Sequence, residues 1–162
     1  MMEHLTNLLQ NILQKGSDED IQVITDFLAN MEKKQQGDFS TYLSAALHME
    51  RQLEHDRCTI EMPITPLIHN TGKNPHGGIL ATLLDTVMGT LANSKCDEGF
   101  AAVTTNLNIH YLSVATEQTL RAESKILRKG KHTIVVEGYV LEPDGRLLAS
   151  STASFFIIPK FG

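Results

Sequence analysis

A long stretch with almost no charge constrains the fold of this chain more than any other feature. Residues 74–94 contain no Lys, Arg or Glu, and Asp85 is their only carboxylate. Asn74 and Pro75 at its start are typical of a helix N-cap and of the first helical position. We therefore expect a largely buried helix of about five turns over this stretch.

The two sides of this predicted helix differ in character. One is a broad apolar stripe suited to packing on a sheet, made of Leu80, Leu83, Leu84, Val87, Met88 and Leu91. The other carries small residues around the single acid, namely Gly78, Ala81, Asp85, Gly89 and Ala92. Because Gly78 and Asp85 lie seven residues apart on one face, we expect the polarised amides of the helix start and the carboxylate to meet at one spot. An ordinary buried helix with an ion-paired Asp85 is the alternative, and this acid argues against a membrane span.

Composition and charge narrow the class of protein. The 162 residues include 14 Lys and Arg against 19 Asp and Glu, and a net charge of −5 argues against general nucleic-acid binding. Cys58 and Cys96 stand alone, and the seven histidines show no helical metal-ligand spacing, so we predict no metal site. The amino-terminal residues do not resemble a signal peptide. We expect a reduced, cytoplasmic protein.

The first part of the chain has the pattern of a helical hairpin. Apolar residues recur at helical spacing up to Gly16 and again up to Gly37, and Ser17 can cap the second helix. Residues 1–36 carry three lysines against six acids, so this hairpin is a poor candidate for DNA binding. We predict that residues 1–38 form an extension for packing or oligomer contact and that residues 39–162 form the main domain.

Strand patterns flank the helix on both sides. A hairpin with its turn near residues 55–57 precedes it, and four strands follow at 101–112, 118–129, 131–142 and 146–158. Gly130 and Pro143-Asp144-Gly145 mark turns between them. This order predicts an α+β fold in which an antiparallel sheet wraps around one long helix. Alternation along 101–112 groups four side chains on a polar face: Thr104, Asn106, Asn108 and His110.

A family resemblance rests on three motifs. His76-Gly77-Gly78 opens the charge-poor helix, LLDTVMGTLANS continues it, and NLNIHYL follows in the next strand. In this order and spacing the motifs resemble those of the hotdog-fold acyl-CoA thioesterases, and most nearly the PaaI-like, phenylacetic acid degradation type. The resemblance covers about residues 45–160, which implies a hotdog fold there, and leaves the N-terminal hairpin without an assigned function.

The resemblance implies four residues of the catalytic site. Asp85 matches the carboxylate that acts as nucleophile or as general base for water, and Gly77 matches the residue whose backbone N–H polarises the thioester carbonyl. Asn70 matches a polar residue that lines the site, and Thr104 matches a Ser or Thr near the attacking water. In the family the site lies between two subunits, so a homodimer or a dimer of dimers is implied, with Asp85 and Thr104 from different chains.

Further residues are candidates for holding the substrate. His76, Gly78 and Asn106 lie within the matching motifs, although a structural role for His76 is the alternative. A basic cluster of Arg121, Lys125, Arg128, Lys129 and Lys131, with Gly130 at its turn, could bind the phosphates of coenzyme A. Strand alternation puts Arg121, Lys125 and Lys129 on one face and Arg128 on the other. The alternative is a solvated hairpin whose charges guard a strand edge.

These residues together predict an acyl-CoA thioesterase that hydrolyses acyl- or aryl-CoA to free acid and coenzyme A. No cofactor is expected beyond the coenzyme A of the substrate, and neither nucleic acid nor membrane is an expected partner. One alternative is a hotdog enoyl-CoA hydratase or dehydratase with His76 and Asp85 as the acid/base pair. The other is a non-catalytic regulator that binds acyl-CoA on the same scaffold.

Overall fold

The charge-poor helix lies against one face of a sheet, as the sequence predicts. The computed structural model describes residues 1–160, which include six strands: β1 Glu50–Leu53, β2 Arg57–Pro63, β3 Phe100–Tyr111, β4 Thr119–Lys129, β5 Thr133–Leu141 and β6 Leu147–Pro159. They form one antiparallel sheet in the order β1-β2-β4-β5-β6-β3. The helix between β2 and β3, which we label α4, spans Gly77–Ser94. The predicted α+β hotdog architecture is confirmed, and the four later strands match their predicted ranges closely.

The chain forms two compact units. One contains residues 1–48 with 65–67, and the other contains residues 49–64 with the chain from Ile68 onward. A single 3₁₀ turn, Pro66–Ile68, follows β2. The predicted domain boundary at residue 38 falls inside the first unit.

The first unit consists of helices α1 Met2–Lys15, α2 Asp18–Gln36 and α3 Tyr42–Ala46. Ser17 caps α2 as expected, because its hydroxyl accepts the Asp20 N–H while the Asp20 carboxylate accepts the Ser17 N–H. Gly37 ends α2 in the left-handed conformation that glycine adopts without strain. Helix α1 has no buried residue, although its sequence is amphipathic.

The core of the second unit lies between α4 and the inner face of the sheet. All six residues of the predicted apolar stripe of α4 are buried, and they pack on the alternate inward residues of the strands. Two glycines let helix and sheet approach closely. A Cβ at Gly138 of β5 would lie 2.9 Å from the Met88 side chain, and one at Gly89 of α4 would lie 3.4 Å from the Phe155 ring. The small face of α4 therefore also meets the sheet of its own chain.

A β-bulge in β3 changes the predicted alternation. Thr104 pairs with Phe155 and Asn106 pairs with the adjacent Ser154, so Thr105 is an extra residue without a partner position. The Thr105 hydroxyl instead donates to the Ser154 carbonyl at 2.9 Å. Because Phe155 is buried against α4, Thr104 lies on the inner face, whereas Asn106 lies on the outer face. The predicted grouping of Thr104 with Asn106 is therefore wrong.

Candidate active site

His76 caps α4. Its backbone is extended, with φ −65° and ψ 133°, and its Nδ1 accepts the Gly78 N–H at 2.9 Å. Asn74, the predicted cap, lies in the preceding loop, where its Nδ2 donates to the Gly72 carbonyl at 2.9 Å. The helix therefore begins two residues later than the sequence predicts, and His76 has a structural role at this position.

One amide of the first helical turn remains available to a ligand. The N–H groups of Ile79 and Leu80 donate to the His76 carbonyl, and the Gly78 N–H donates to the His76 ring. For the Gly77 N–H, residues 1–160 provide no acceptor. Gly77 thus offers the donor that the resemblance implies, whereas the Gly78 N–H is already used.

Asn70 organises the loop before the helix. Its Oδ1 accepts the N–H groups of Gly72 and Asn74, at 2.8 and 3.2 Å. The residues flanking this loop, His69 and Pro75, form an isolated antiparallel bridge. Asn70 therefore lies close to the helix start, as the resemblance implies.

Tyr111, a residue that the sequence reading missed, covers Gly77. Its hydroxyl donates to the Gly77 carbonyl at 2.9 Å, and a Cβ at Gly77 would lie 3.6 Å from its ring. A cavity of about 240 Å³ opens here, lined by Asn70, Gly77 and Leu80 on one side and by Tyr111, Val114 and Ala115 on the other. Strand alternation places Tyr111 on the inward face of the NLNIHYL strand, and this was the one sign of its role. Its partner Gly77 lies 34 residues away in the chain, so no local pattern links the two.

Asp85 and Thr104 meet within a single chain. The Thr104 hydroxyl donates to Asp85 Oδ1 at 2.9 Å, and the carboxylate is half-buried. The expectation that these two residues come from different chains is therefore wrong. The bulge at Thr105 is the physical reason, because it turns Thr104 toward α4.

Gly77 and Asp85 do not converge within one chain. They are eight residues apart on α4, and at a rise of 1.5 Å per residue this separates them by ~12 Å along the axis. A carbonyl carbon that is within reach of the Gly77 amide is therefore out of reach of the Asp85 carboxylate of the same chain. The prediction that the amides of the helix start and the Asp85 carboxylate meet is therefore wrong within one chain. The two groups share a helix face but are too far apart along the helix axis.

Asn106 lies apart from these residues. It points to the outer face of the sheet, together with Asn108 and His110, whereas Asp85 and Thr104 meet on the inner face. The structure does not bring Asn106 into the candidate site of its own chain.

The basic cluster near the β4–β5 turn is rearranged by a second bulge. Ile126 pairs with Val136 and Arg128 pairs with the adjacent Val135, so Leu127 is the extra residue. Arg128 therefore shares the outer face with Arg121 and Lys125, and Lys129 faces inward. This reverses the assignment of Arg128 and Lys129 that alternation predicts.

Most of the basic cluster is already ion-paired. Arg121 pairs with Glu123 at 3.1 Å, Lys125 with Glu137 at 3.4 Å, and Lys129 with Asp97 at 3.9 Å. In the described part of the chain, Arg128 and Lys131 have no carboxylate partner within ion-pair distance. Between them, the Gly130 N–H closes the turn by donating to the Thr133 carbonyl at 2.8 Å. Arg128 and Lys131 are thus the cations of this cluster that remain available to phosphate.

No group of three or more His, Cys, Asp and Glu side chains among residues 1–160 is arranged to hold a metal ion. Over the same range, the helices are too short or too polar to cross a lipid bilayer.

Comparison with known proteins gives related sequences and folds. Residues 72–149 match the sequence profile of the thioesterase superfamily. A candidate esterase of Saccharolobus solfataricus is 33% identical to this chain over 106 residues. These residues cover 65% of this chain and 75% of that protein.

Solved structures extend the similarity. The BH2602 protein of Bacillus halodurans, crystallised with coenzyme A, superimposes with a TM-score of 0.87 at 35% identity, over 94% of this chain and 99% of that one. A thioesterase of Haemophilus influenzae has the same fold at 18% identity, with a TM-score of 0.71 over 74% of this chain and 85% of its own. A phenylacetic acid degradation-related protein of Ralstonia eutropha also shares it, at 23% identity and a TM-score of 0.67, over 77% and 97% of the two chains. The sequence profile, the identity to the Saccharolobus protein and the shared hotdog fold agree, and the chain belongs to the thioesterase superfamily.

Proposed function

We propose that this protein is an acyl-CoA thioesterase that hydrolyses acyl- or aryl-CoA esters to a free acid and coenzyme A. The observation that carries the proposal is the Asp85 carboxylate held by the Thr104 hydroxyl, on the scaffold of the thioesterase superfamily. The unpaired Gly77 amide beside a cavity supports it. That the related Bacillus halodurans protein was crystallised with coenzyme A favours a CoA ester as the substrate.

In this proposal the Gly77 amide stabilises the charge that develops in the reaction. Attack on a thioester carbonyl places negative charge on its oxygen. A preorganised N–H at a helix start is typically worth ~3 kcal/mol to such a transition state. Tyr111 supports this donor, because its bond to the Gly77 carbonyl holds the next peptide group in place.

Asp85 supplies the other half of the chemistry. As a general base it takes a proton from water, whose oxygen bonds to the carbonyl carbon. The carbon–sulfur bond then breaks, and the thiolate of coenzyme A leaves and takes up a proton. As a nucleophile it forms an acyl anhydride that water hydrolyses in a second step. The hydrogen bond from Thr104 orients the carboxylate in either route.

The proposal also includes a homodimer, because Gly77 and Asp85 of one chain lie ~12 Å apart along α4 and cannot act on the same carbonyl group. Gly77 of one protomer acts together with Asp85 of the other, so that each of two sites takes one residue from each chain. Strand β3, which carries Thr104, is an edge strand of the sheet, and an exposed edge is suited to pairing with a second copy. No metal or cofactor takes part in the proposed reaction, and Arg128 and Lys131 are the proposed contacts for the phosphates of coenzyme A.

Thiol release from a panel of short, long and aromatic CoA esters tests the proposal. Asp85→Asn keeps the size of the side chain and an acceptor for Thr104, and it should lower kcat by at least ~10²-fold because the base is lost. Asp97→Asn, at a highly exposed acid, is the matched control. Unchanged turnover in Asp85→Asn would remove this residue from the mechanism.

The alternative functions predict different results. A hydratase would change the double-bond absorbance of an enoyl-CoA without releasing thiol, but the Nδ1 of its proposed acid/base residue His76 is occupied by the Gly78 N–H. A regulator would bind CoA esters without turnover.

A further inference from the structure

A buried carboxylate lies just beyond the end of β5, outside the residues assigned to catalysis. The side chain of Glu142 has no exposed surface, whereas the side chain of Arg146 beside it is 37% exposed. A buried ion is costly unless several donors satisfy it. The donors to Glu142 therefore show which segment of the chain the buried carboxylate holds in place.

Most of the donors come from the loop that joins β3 to β4. The N–H groups of Thr116 and Glu117 donate to Glu142 Oε1 at 2.5 and 2.7 Å, and Arg146 Nε donates to Oε2 at 2.6 Å. Arg146 Nη2 also donates to the Val114 carbonyl at 3.0 Å and to the Thr116 hydroxyl at 2.7 Å. The pair thus holds residues 114–117 through these four hydrogen bonds, and the Thr116 hydroxyl also lies 3.4 Å from each oxygen of the Glu142 carboxylate.

The turn that contains this pair does not need the Glu142 side chain. Two backbone hydrogen bonds close the turn. The Glu142 N–H donates to the Arg146 carbonyl at 3.0 Å, and the Gly145 N–H donates to the Glu142 carbonyl at 2.9 Å. The Arg146 N–H also donates to the Asp144 carboxylate at 2.8 Å. Apart from the bond with Arg146, the hydrogen bonds of the Glu142 side chain go to the loop and not to the turn.

The same loop forms one wall of the cavity beside Gly77. Ser113, Val114 and Ala115 line that cavity opposite the helix start, and Val114 presents a largely exposed apolar side chain. Neither Glu142 nor Arg146 lines the cavity. Their effect on a bound molecule is therefore transmitted through the loop.

We infer that the Glu142–Arg146 pair is a positioning device that holds residues 114–117, and with them one wall of the cavity beside Gly77, in place to receive the acyl group of the substrate. This inference rests on the proposed thioesterase function for the identity of the ligand. Because the pair is assigned to substrate binding, loss of the pair should raise KM more than it lowers kcat.

Glu142→Gln is the first test. Both loop N–H groups donate to Oε1 and Arg146 donates to Oε2, so a Gln amide must face donors with its NH₂ group in either orientation. Glu137→Gln is the control, because Glu137 lies on β5 and bonds with Lys125 and Tyr139 on the outer face. Amide hydrogen exchange of Thr116 and Glu117, whose N–H groups donate to Glu142, should accelerate at least ~10-fold in Glu142→Gln and not in Glu137→Gln.

The kinetic readout separates positioning from a general loss of stability. In Glu142→Gln, KM for a CoA ester should rise roughly fivefold, while kcat stays within about twofold of the wild-type value. If Glu142→Gln does not fold, Arg146→Lys serves the same test, because Lys lacks the planar fork that reaches Val114 and Thr116.

Unchanged loop exchange, or faster exchange with unchanged KM, would overturn the inference. The exchange measurement needs no turnover. A wild-type protein that cleaves no CoA ester would contradict the proposed function, and the exchange data would still decide whether the pair holds the loop.

Discussion

The Thr104 hydroxyl donates a 2.9 Å hydrogen bond to the Asp85 carboxylate, and this bond exists because β3 contains one extra residue at Thr105. Without the bulge, Thr104 would be in phase with Asn106 and would face away from α4. A local irregularity of the strand thus brings together the two groups on which the proposed reaction depends.

Thr104→Val should lower kcat, and Thr104→Ser should largely preserve it. Val keeps the branched shape and removes the donor, whereas Ser keeps the hydroxyl. Hydrogen bonds to charged groups are worth ~1.5–3 kcal/mol, so a loss of about 10- to 100-fold is expected for Val. Steady-state thiol release measures both variants, and equal activity of the two would contradict a role for the hydroxyl.

Gly77→Pro should remove the proposed oxyanion donor without breaking the helix. Gly77 is the first helical residue, where Pro is well tolerated, and His76 before it already has the extended backbone that Pro requires. Loss of one such donor should lower kcat by ~10²–10³-fold. Gly77→Ala keeps the N–H and places its Cβ at an ordinary contact distance from Tyr111, so it should remain active.

A mixture of two inactive variants should regain activity if the site takes Gly77 and Asp85 from different chains. Refolding Asp85→Ala together with Gly77→Pro produces heterodimers in which one of the two sites is intact. Statistical mixing in a twofold dimer predicts about a quarter of wild-type activity. No recovery, with heterodimers verified by mass spectrometry, would place both residues in one chain's site or exclude a dimeric site.

The contribution of Glu142 to stability should depend on pH. Burial raises the pKa of Glu142. The N–H groups of Thr116 and Glu117 and the Arg146 guanidinium lower the pKa by a larger amount, so it lies below its ordinary value of 4.5. A lowered pKa means that the ion stabilises the folded state above about pH 4.5 and that this stabilisation is lost as the pH falls through the folded pKa.

The Tm difference between wild type and Glu142→Gln should therefore be largest near pH 6–7. It should shrink below about pH 4.5, where Glu142 of the unfolded chain takes up a proton, and should be lost as the pH falls through the lowered pKa of the folded protein. Calorimetric scans across this range measure it. A difference that stays constant down to pH 3.5 would contradict the ionic role of Glu142.

Local patterns predicted most of the fold. The spacing of apolar residues in α4 identified its buried face, and every residue of that stripe is buried in the structure. Turn residues separated the later strands, because Gly130 and Pro143-Asp144-Gly145 have strong conformational preferences of their own. These features depend on neighbours within a few positions in the chain, which a single sequence displays directly.

The errors in strand faces and long-range contacts have a common origin in pairing between distant segments. The bulges at Thr105 and Leu127 are defined by partner strands, so counting alternate residues along one strand cannot reveal them. The contacts of Tyr111 with Gly77 and of Glu142 with Thr116 likewise join residues far apart in sequence.

By itself, the sequence determined most of the secondary structure, the buried face of the central helix and the residue types available for chemistry, since these follow from local propensity and periodicity. Only the tertiary structure decided that Thr104 reaches Asp85, that Arg128 rather than Lys129 faces outward, and that a buried ion pair holds the cavity wall. The reason is physical: strand register and loop placement are set by backbone pairing and packing between segments, and a shift of one residue reverses which face a side chain occupies.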